Sequence, residues 1–339
     1  MSVPDLAALL ADPSWLPLRY DYRRDEIQFA YLPRERHRAI GFLTQLDAVE
    51  PLPRRTVPRR ALAGQPIHSG PLHLILHSGL AGSTLFARAL DAEGAVFSLK
   101  EPPILSDVIG CRVTGAPHDR GGEALETILN LLARPFAPGE AVVIKMGSVG
   151  NALGPEILAR RPESRALCLY SPLPVYLALM ARKGLWGRIW GRKLFTSLRG
   201  GRLTDLGFTD ADLFEHTDMQ VAADAWLVLH RILGETLSRF APRARWIDSE
   251  ALIGDATASL DAIATHFGLA LDAGAIAAGP VFTHHSKTGK RYDAARRAAE
   301  LEAAATAHRE EIALVVDWAR KVAEGLNIRW DLPAPLLPA

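Results

Sequence analysis

Hydrophobic and polar positions divide the chain near Leu72. Downstream, short apolar runs alternate with longer stretches of helical periodicity: LHLILH (72–77), AVFSL (95–99), AVVIKM (141–146), RALCLY (165–170) and ARWID (244–248). A helical pattern follows the first run to about Asp91. EALETILNLLARPF precedes the third run, NALGPEILARRPES the fourth, and a long pattern from Gln220 to Phe240 the fifth. Strands this short between helices predict an α/β fold, a parallel sheet flanked by helices on both faces. Right-handed crossovers put the loops after the strands along one edge, where ligands of such sheets bind. From 291 to 326, Ala, Glu and Arg dominate, predicting one or two long helices ending near Gly325. Their alanine-rich face suits packing on the domain or on another subunit.

Upstream the pattern is less regular. Residues 1–48 mix aromatics, charges and short apolar runs. Residues 49–71 are rich in Pro, Arg and Gly, and prolines 51, 53, 58 and 66 forbid a continuous helix. That stretch reads as a linker or a strap along the surface. The expected organisation is an N-terminal extension and linker (1–70), an α/β domain (71–290) and a helical C-terminal segment packed on it (291–339).

Composition changes this picture little. The 339 residues are 48% hydrophobic and 23% charged, which suits a globular domain with a sizeable core. A formal net charge of +1 makes no global case for nucleic acid or membrane binding. No apolar run is long enough to span a bilayer, and Asp5 and Asp12 interrupt the N-terminal apolar run, which has no basic flank. Cys111 and Cys168 lie far apart without CxxC spacing and read as reduced structural thiols, so a cytoplasmic location is expected.

The chemistry concentrates after LHLILH. Ser78-Gly79-Leu80-Ala81-Gly82-Ser83-Thr84 is a glycine turn feeding a helix start. Backbone N–H groups, the helix dipole and the hydroxyls of Ser83 and Thr84 could together hold a phosphate oxygen. The structural alternative is a tight turn with an N-cap hydroxyl. GxxxxGK[ST] is not met, because Ser83 follows Gly82; GxGxxG and GxSxG are also absent.

In this loop and in three later stretches, the chain resembles the sulfotransferase superfamily, whose donor is 3′-phosphoadenosine 5′-phosphosulfate (PAPS). The family's loop, [KR]-[ST]-G-[ST]-[ST]-hydrophobic, has its counterpart in Leu80 to Leu85. Its R-x-P-x-x-x-x-x-S element corresponds to LCLYSPLPVYLALMARKGLWGR, with Tyr170, Pro172 and Ala178 at the arginine, proline and serine places. Glu250 and Leu252 in WIDSEALIGDATASLDAIATHFGL match a third element, and HHSKTGKRY (284–292) a fourth. The resemblance implies a P-loop-like sulfotransferase fold binding PAPS or its product PAP. Ser78, Gly79, Gly82, Ser83, Thr84 and Ser171 would contact the donor. Lys287, Gly289, Lys290 and Arg291 would close over its 3′-phosphate and adenine. Leu80, Tyr170 and Ala178 replace family residues that touch phosphate. Each lost charge-assisted contact is worth roughly 1.5–3 kcal/mol.

Replacement cations are sought nearby. Lys100 and Glu101 follow the second run, and the resemblance casts Glu101 as the base that takes the acceptor's proton, with Lys100 steadying the transferred group. A structural reading makes them the start of a surface loop. Lys145 ends the third run, and an unpaired buried charge there would be costly, so it is expected to project to the same edge. Asn151 is a plausible N-cap of the helix that follows. Residues 181–194 carry Arg182, Lys183, Arg188, Arg192 and Lys193 around Trp186 and Trp190, which share a helix face. They could clamp an anionic or sugar-like acceptor or a nucleic acid, or the tryptophans could pack a lid or a neighbouring helix. His77 is expected to be a satisfied histidine. No metal is expected, since His284 and His285 lack metal spacing.

The leading expectation is sulfuryl transfer from PAPS to a hydroxyl or amine of a small-molecule acceptor, without metal. The alternative is a non-catalytic sulfotransferase-like binding or scaffold protein that has lost PAPS. A kinase-like transferase is a third, opposed by the missing loop lysine, with Asp248 the only obvious acid. Two arrangements separate the first from the second. Lys100 and Lys145 could both point into a cavity over the Gly82 turn, or Leu80 and Tyr170 could pack together and close it.

Overall fold

The computed structural model describes residues 4–48, 51–115, 118–283 and 294–337. Among these residues eight strands form two sheets. β1 (Trp15–Asp21), β2 (Glu26–Tyr31) and β3 (Arg54–Pro58) make an antiparallel sheet in that order. β4 (Leu72–His77), β5 (Val96–Lys100), β6 (Ala141–Lys145), β7 (Ala166–Tyr170) and β8 (Ala244–Asp248) make a parallel sheet of order β5-β6-β4-β7-β8. The five apolar runs therefore became the five parallel strands. β4, β5 and β6 are buried throughout, which is why they read as continuous apolar runs rather than as alternation. From β4 the chain proceeds to β5 on one side, and from β7 to β8 on the other. That divergence opens a crevice at the carboxyl ends of the central strands.

The helices have legible causes. Thr217 and Gln220 form a capping box that starts the Asp218–Phe240 helix. Gly268, in the left-handed region, ends the Ala256–Phe267 helix. The helical tail forms as Ala294–Ala307 and Arg309–Gly325, the second ending at the expected glycine. Two glycines set how closely the Gly184–Gly200 helix lies on its neighbours. A Cβ on Gly187 would come within 2.2 Å of the Met180 carbonyl oxygen, and one on Gly191 within 3.2 Å of the Ala222 Cβ.

The N-terminal region holds more structure than its sequence suggested. The expected strap contains β3, flanked by its prolines and paired along only one side. Two buried arginines tie this layer down. Arg134 donates to the carbonyls of Leu9, Leu10, Asp12 and Trp15. Arg34 pairs with the fully buried Glu140 and with Asp91, and donates to the Val96 carbonyl on edge strand β5. Glu140 also accepts the amides of Gly94, Phe136 and Ala137, so its charge is saturated. At the other edge the C-terminal tail runs beside β8, exchanging Trp246 N–H to Ala334 O and Leu336 N–H to Trp246 O. Cys111 and Cys168 are buried thiols not joined in a disulfide. Among the described residues, no helix is long and apolar enough to cross a membrane, and no group of three or more His, Cys, Asp or Glu could hold a metal.

Candidate active site

The carboxyl ends of β4, β5 and β6 border a cavity of about 690 Å³. One wall is the glycine turn. Gly79, Leu80 and Gly82 all take left-handed backbone, with φ of 84°, 50° and 68°. A glycine is free to do this, whereas Leu80 does so at a cost of order 1 kcal/mol. The first hydrogen bond of the Ser83–Ala89 helix runs from Phe86 N–H to Gly82 O. The amides of Ser83, Thr84 and Leu85 precede that ladder, and all three residues line the cavity.

His77 holds this turn in place. Its Nδ1 accepts the Gly79 N–H at 3.1 Å, and its Nε2–H donates to Met146 O at 3.0 Å. This pattern requires the neutral ring. Complete burial, with Lys145 nearby, pushes its pKa well below the ordinary histidine value. Asn151 is not a helix cap. It is buried, and its side-chain amide donates to His77 O at 2.8 Å.

A second part of the wall begins with an ion pair. Lys145 Nζ meets Glu101 Oε1, and both residues line the cavity. Lys145 is almost completely buried, while the Glu101 side chain keeps 21% exposure, enough to meet a ligand. Lys145 also lies over the Phe42 ring at 5.1 Å. Glu101 has φ of 58°, and its N–H donates to Lys145 O at 2.8 Å. Backbone strain at a paired, part-exposed carboxylate is a functional indication.

The third wall is the Gly184–Gly200 helix, which contributes Trp186, Trp190, Lys193, Leu194 and Ser197, with Lys183 at its cap. Its arginines turn elsewhere. Arg188 binds Glu311 through two hydrogen bonds, and Arg192 pairs with Asp218. Arg182, just before the helix, pairs with Glu300. The basic cluster is thus divided, with arginines bracing the scaffold and lysines lining the cavity. Trp186 and Trp190 both form cavity wall, and Trp190 also packs on the helical core while Trp186 stays largely exposed. Sequence reasoning missed Phe42, Thr44 and Gln45, which reach the cavity from the N-terminal layer and carry no motif.

The structure does not bring every predicted site residue to this cavity. Lys100 is buried, and its Nζ donates to the His37 carbonyl at 2.5 Å. The N-terminal layer offers that acceptor, so Lys100 braces the layer instead of steadying a transferred group. Burial lowers its pKa to about 8. Ser78 and Ser171 are fully buried behind the turn, where Ser78 Oγ accepts the Ser171 N–H at 2.8 Å. Ser171 O accepts the Trp226 indole N–H. Tyr170 packs among Trp226, His230 and Trp246, and Ala178 is buried. Neither lines the cavity, and Leu80 lines it without closing it. Lys287, Gly289, Lys290 and Arg291 lie outside the described residues, as do His284 and His285.

No family model and no curated protein sequence matches this chain. In fold, it is similar to solved sulfotransferase domains. One, from the curacin biosynthetic pathway, aligns over 78% of this chain and 99% of its own length, with 15% identity and a TM-score of 0.40. Another, from the Synechococcus PCC 7002 olefin synthase, aligns over 67% and 83%, with 16% identity and a TM-score of 0.40.

Proposed function

We propose that this cavity transfers a sulfuryl group from PAPS to a hydroxyl or amine of a small-molecule acceptor. The observation that carries the reading is the Lys145–Glu101 pair at a strand end, lining the same cavity as the Gly79–Thr84 turn. The walls fit an anionic donor in one part. Loop amides, the Ser83 and Thr84 hydroxyls and Lys145 would hold its phosphosulfate end. They do not fit at the places of Tyr170 and Ala178, so the 3′-phosphate would be met by Lys183 and Lys193.

When bound, the donor supplies a sulfuryl group whose bond to phosphate oxygen breaks as the acceptor oxygen or nitrogen bonds to sulfur. Glu101 takes the acceptor's proton. Lys145 engages Oε1, so Oε2 is the oxygen that receives it. Lys145 also offsets the negative charge that grows on the group in flight, and the loop amides are already oriented to do the same.

The competing reading is a binding module without turnover, favoured by Tyr170, partly buried among aromatic rings, and Ala178, fully buried, both away from the cavity. Calorimetric titration with PAP, beside ATP as control, tests the proposal. Micromolar binding of PAP, weakened by Lys145→Ala and Lys193→Ala, is expected. No binding at millimolar PAP would overturn the donor assignment.

A further inference from the structure

Five large apolar side chains stand out as exposed among the described residues, and three sit together on the Gly184–Gly200 helix. They are Leu185 (72% exposed), Trp186 (58%) and Ile189 (45%). Leu185 and Ile189 are one turn apart, and Trp186 lies between them on the adjoining face, so the three form one strip. Single exposed apolar residues need no explanation, but a contiguous patch does. This strip does not stand alone. Trp186 also lines the cavity, and its neighbour one turn on, Trp190, lines it too. Leu194, Val149, Leu105, Pro102 and Phe42 line the same cavity as Glu101. Through Trp186 the strip therefore adjoins a cavity whose lining is partly apolar and includes the carboxylate. The arginines beside the strip are engaged by Glu311 and Asp218, and the cations this helix turns to the cavity are Lys183, over the Trp186 ring, and Lys193.

We infer that the acceptor is an amphiphile: an elongated apolar body ending in a hydroxyl. The body lies along Leu185, Trp186 and Ile189 and passes Trp190, which brings the hydroxyl to Glu101. This inference rests on the proposed sulfuryl transfer and assigns its acceptor class. A compact sugar would leave the strip uncovered.

The test compares butanol, hexanol and octanol as acceptors, with PAPS as donor, for the wild type and for the double variant Leu185→Ser/Ile189→Ser. Neither substituted residue lines the cavity, and both are solvent-exposed. In the wild type, kcat/KM should rise about twofold to fourfold per added methylene. The double variant should flatten that dependence while binding PAP as the wild type does. A flat series in the wild type, or an unchanged slope in the variant, overturns the acceptor class and leaves the donor assignment standing. If PAP does not bind and no transfer occurs, the proposed function has failed. Binding of the same alcohols, followed by tryptophan fluorescence, then decides the strip by itself. Affinity that climbs with chain length and is lost in the variant upholds it, and absence of that trend overturns it. Sedimentation of both proteins closes the remaining route. A wild-type dimer that dissociates in the variant makes the strip an interface between copies and overturns the inference.

Discussion

The ends of β5 and β6 lie side by side, with Lys100 paired to Lys145 in the parallel register. In sequence the two look alike, each an apolar strand closed by a lysine, and both side chains are almost completely buried. Their roles differ. Lys100 reaches a carbonyl of the N-terminal layer, and Lys145 reaches the Glu101 carboxylate at the cavity. The difference lies in what covers each strand. β5 is the sheet edge, and the N-terminal layer docks there through Arg34. β6 is one place further in, where the crevice leaves its end open to ligand. A charge that cannot remain unpaired in the interior takes the partner its position provides. A lysine at a strand end therefore indicates a site only once its neighbour in space is known.

The largest effect should come from cutting loose the layer that captures Lys100. Glu140→Ala takes from Arg34 one of its two carboxylate partners and leaves three amides without their acceptor, and should cost about 3–5 kcal/mol in urea unfolding. Full stability of this variant would mean that the layer is not what holds the β5 end.

Acid probes the third strand end in the row, His77 on β4. Burial pushes His37 down to about 3, His73 to about 4 and His77 well below its ordinary value. As pH falls through about 6.5, the unfolded chain takes up protons that the folded chain refuses, so folded stability drops. Asp224, raised by burial to about 6, acts with the opposite sign below that pH. His230 and His266 are lowered by burial as well, and Asp91 and Asp248 raised, so five imidazoles stand against three carboxyls and leave a net loss of roughly 1–4 kcal/mol between about pH 6.5 and 5. Urea midpoints across that range measure it, and a flat profile would show that these rings protonate in place.

The two lysines can then be separated by ligand. Lys145→Ala should weaken PAP binding about 10- to 150-fold in calorimetry, the loss of one charge-assisted contact. Lys100→Met should leave PAP affinity within about threefold. Equal losses would erase the distinction drawn between the two strand ends.

The smallest effect is at alkaline pH. Lys100 titrates near 8 when folded and near the ordinary lysine value of about 10.4 when unfolded. Between those values the unfolded chain holds more protons, so the cost of burying the charge is relieved as pH rises. Wild-type stability should gain about 1 kcal/mol on Lys100→Met between about pH 8 and 9.5. Parallel denaturation curves at both pH values would rule out a charged, buried Lys100.

The parallel sheet was legible because its strands are buried on both faces and bounded by helical patterns. The glycine turn was legible because few residues accept left-handed backbone. β1 was not. It is buried at five of seven positions, in no alternating pattern, so its period was hidden. β3 sat within a proline-rich stretch that argues against a central strand and allows an edge one. The destination of Lys100 was illegible for a different reason. It depends on the His37 carbonyl, 63 residues earlier, and no local pattern encodes a backbone acceptor. The division of cations along 181–194 was likewise decided by Glu300, Glu311 and Asp218, all distant in sequence.

Gly191 carries a consequence for how such a cavity could diversify. It faces Ala222 on the side of the helix turned away from ligand, and a methyl group there would displace its neighbours by a few tenths of an ångström. The same helix bears Trp186, Trp190 and Lys193 on the front. Gly191 thus serves as a missing shim behind one wall of the cavity. One methyl group inserted at the back resets the gap at the front, and with it the girth of the molecule admitted, while every residue that touches that molecule stays the same.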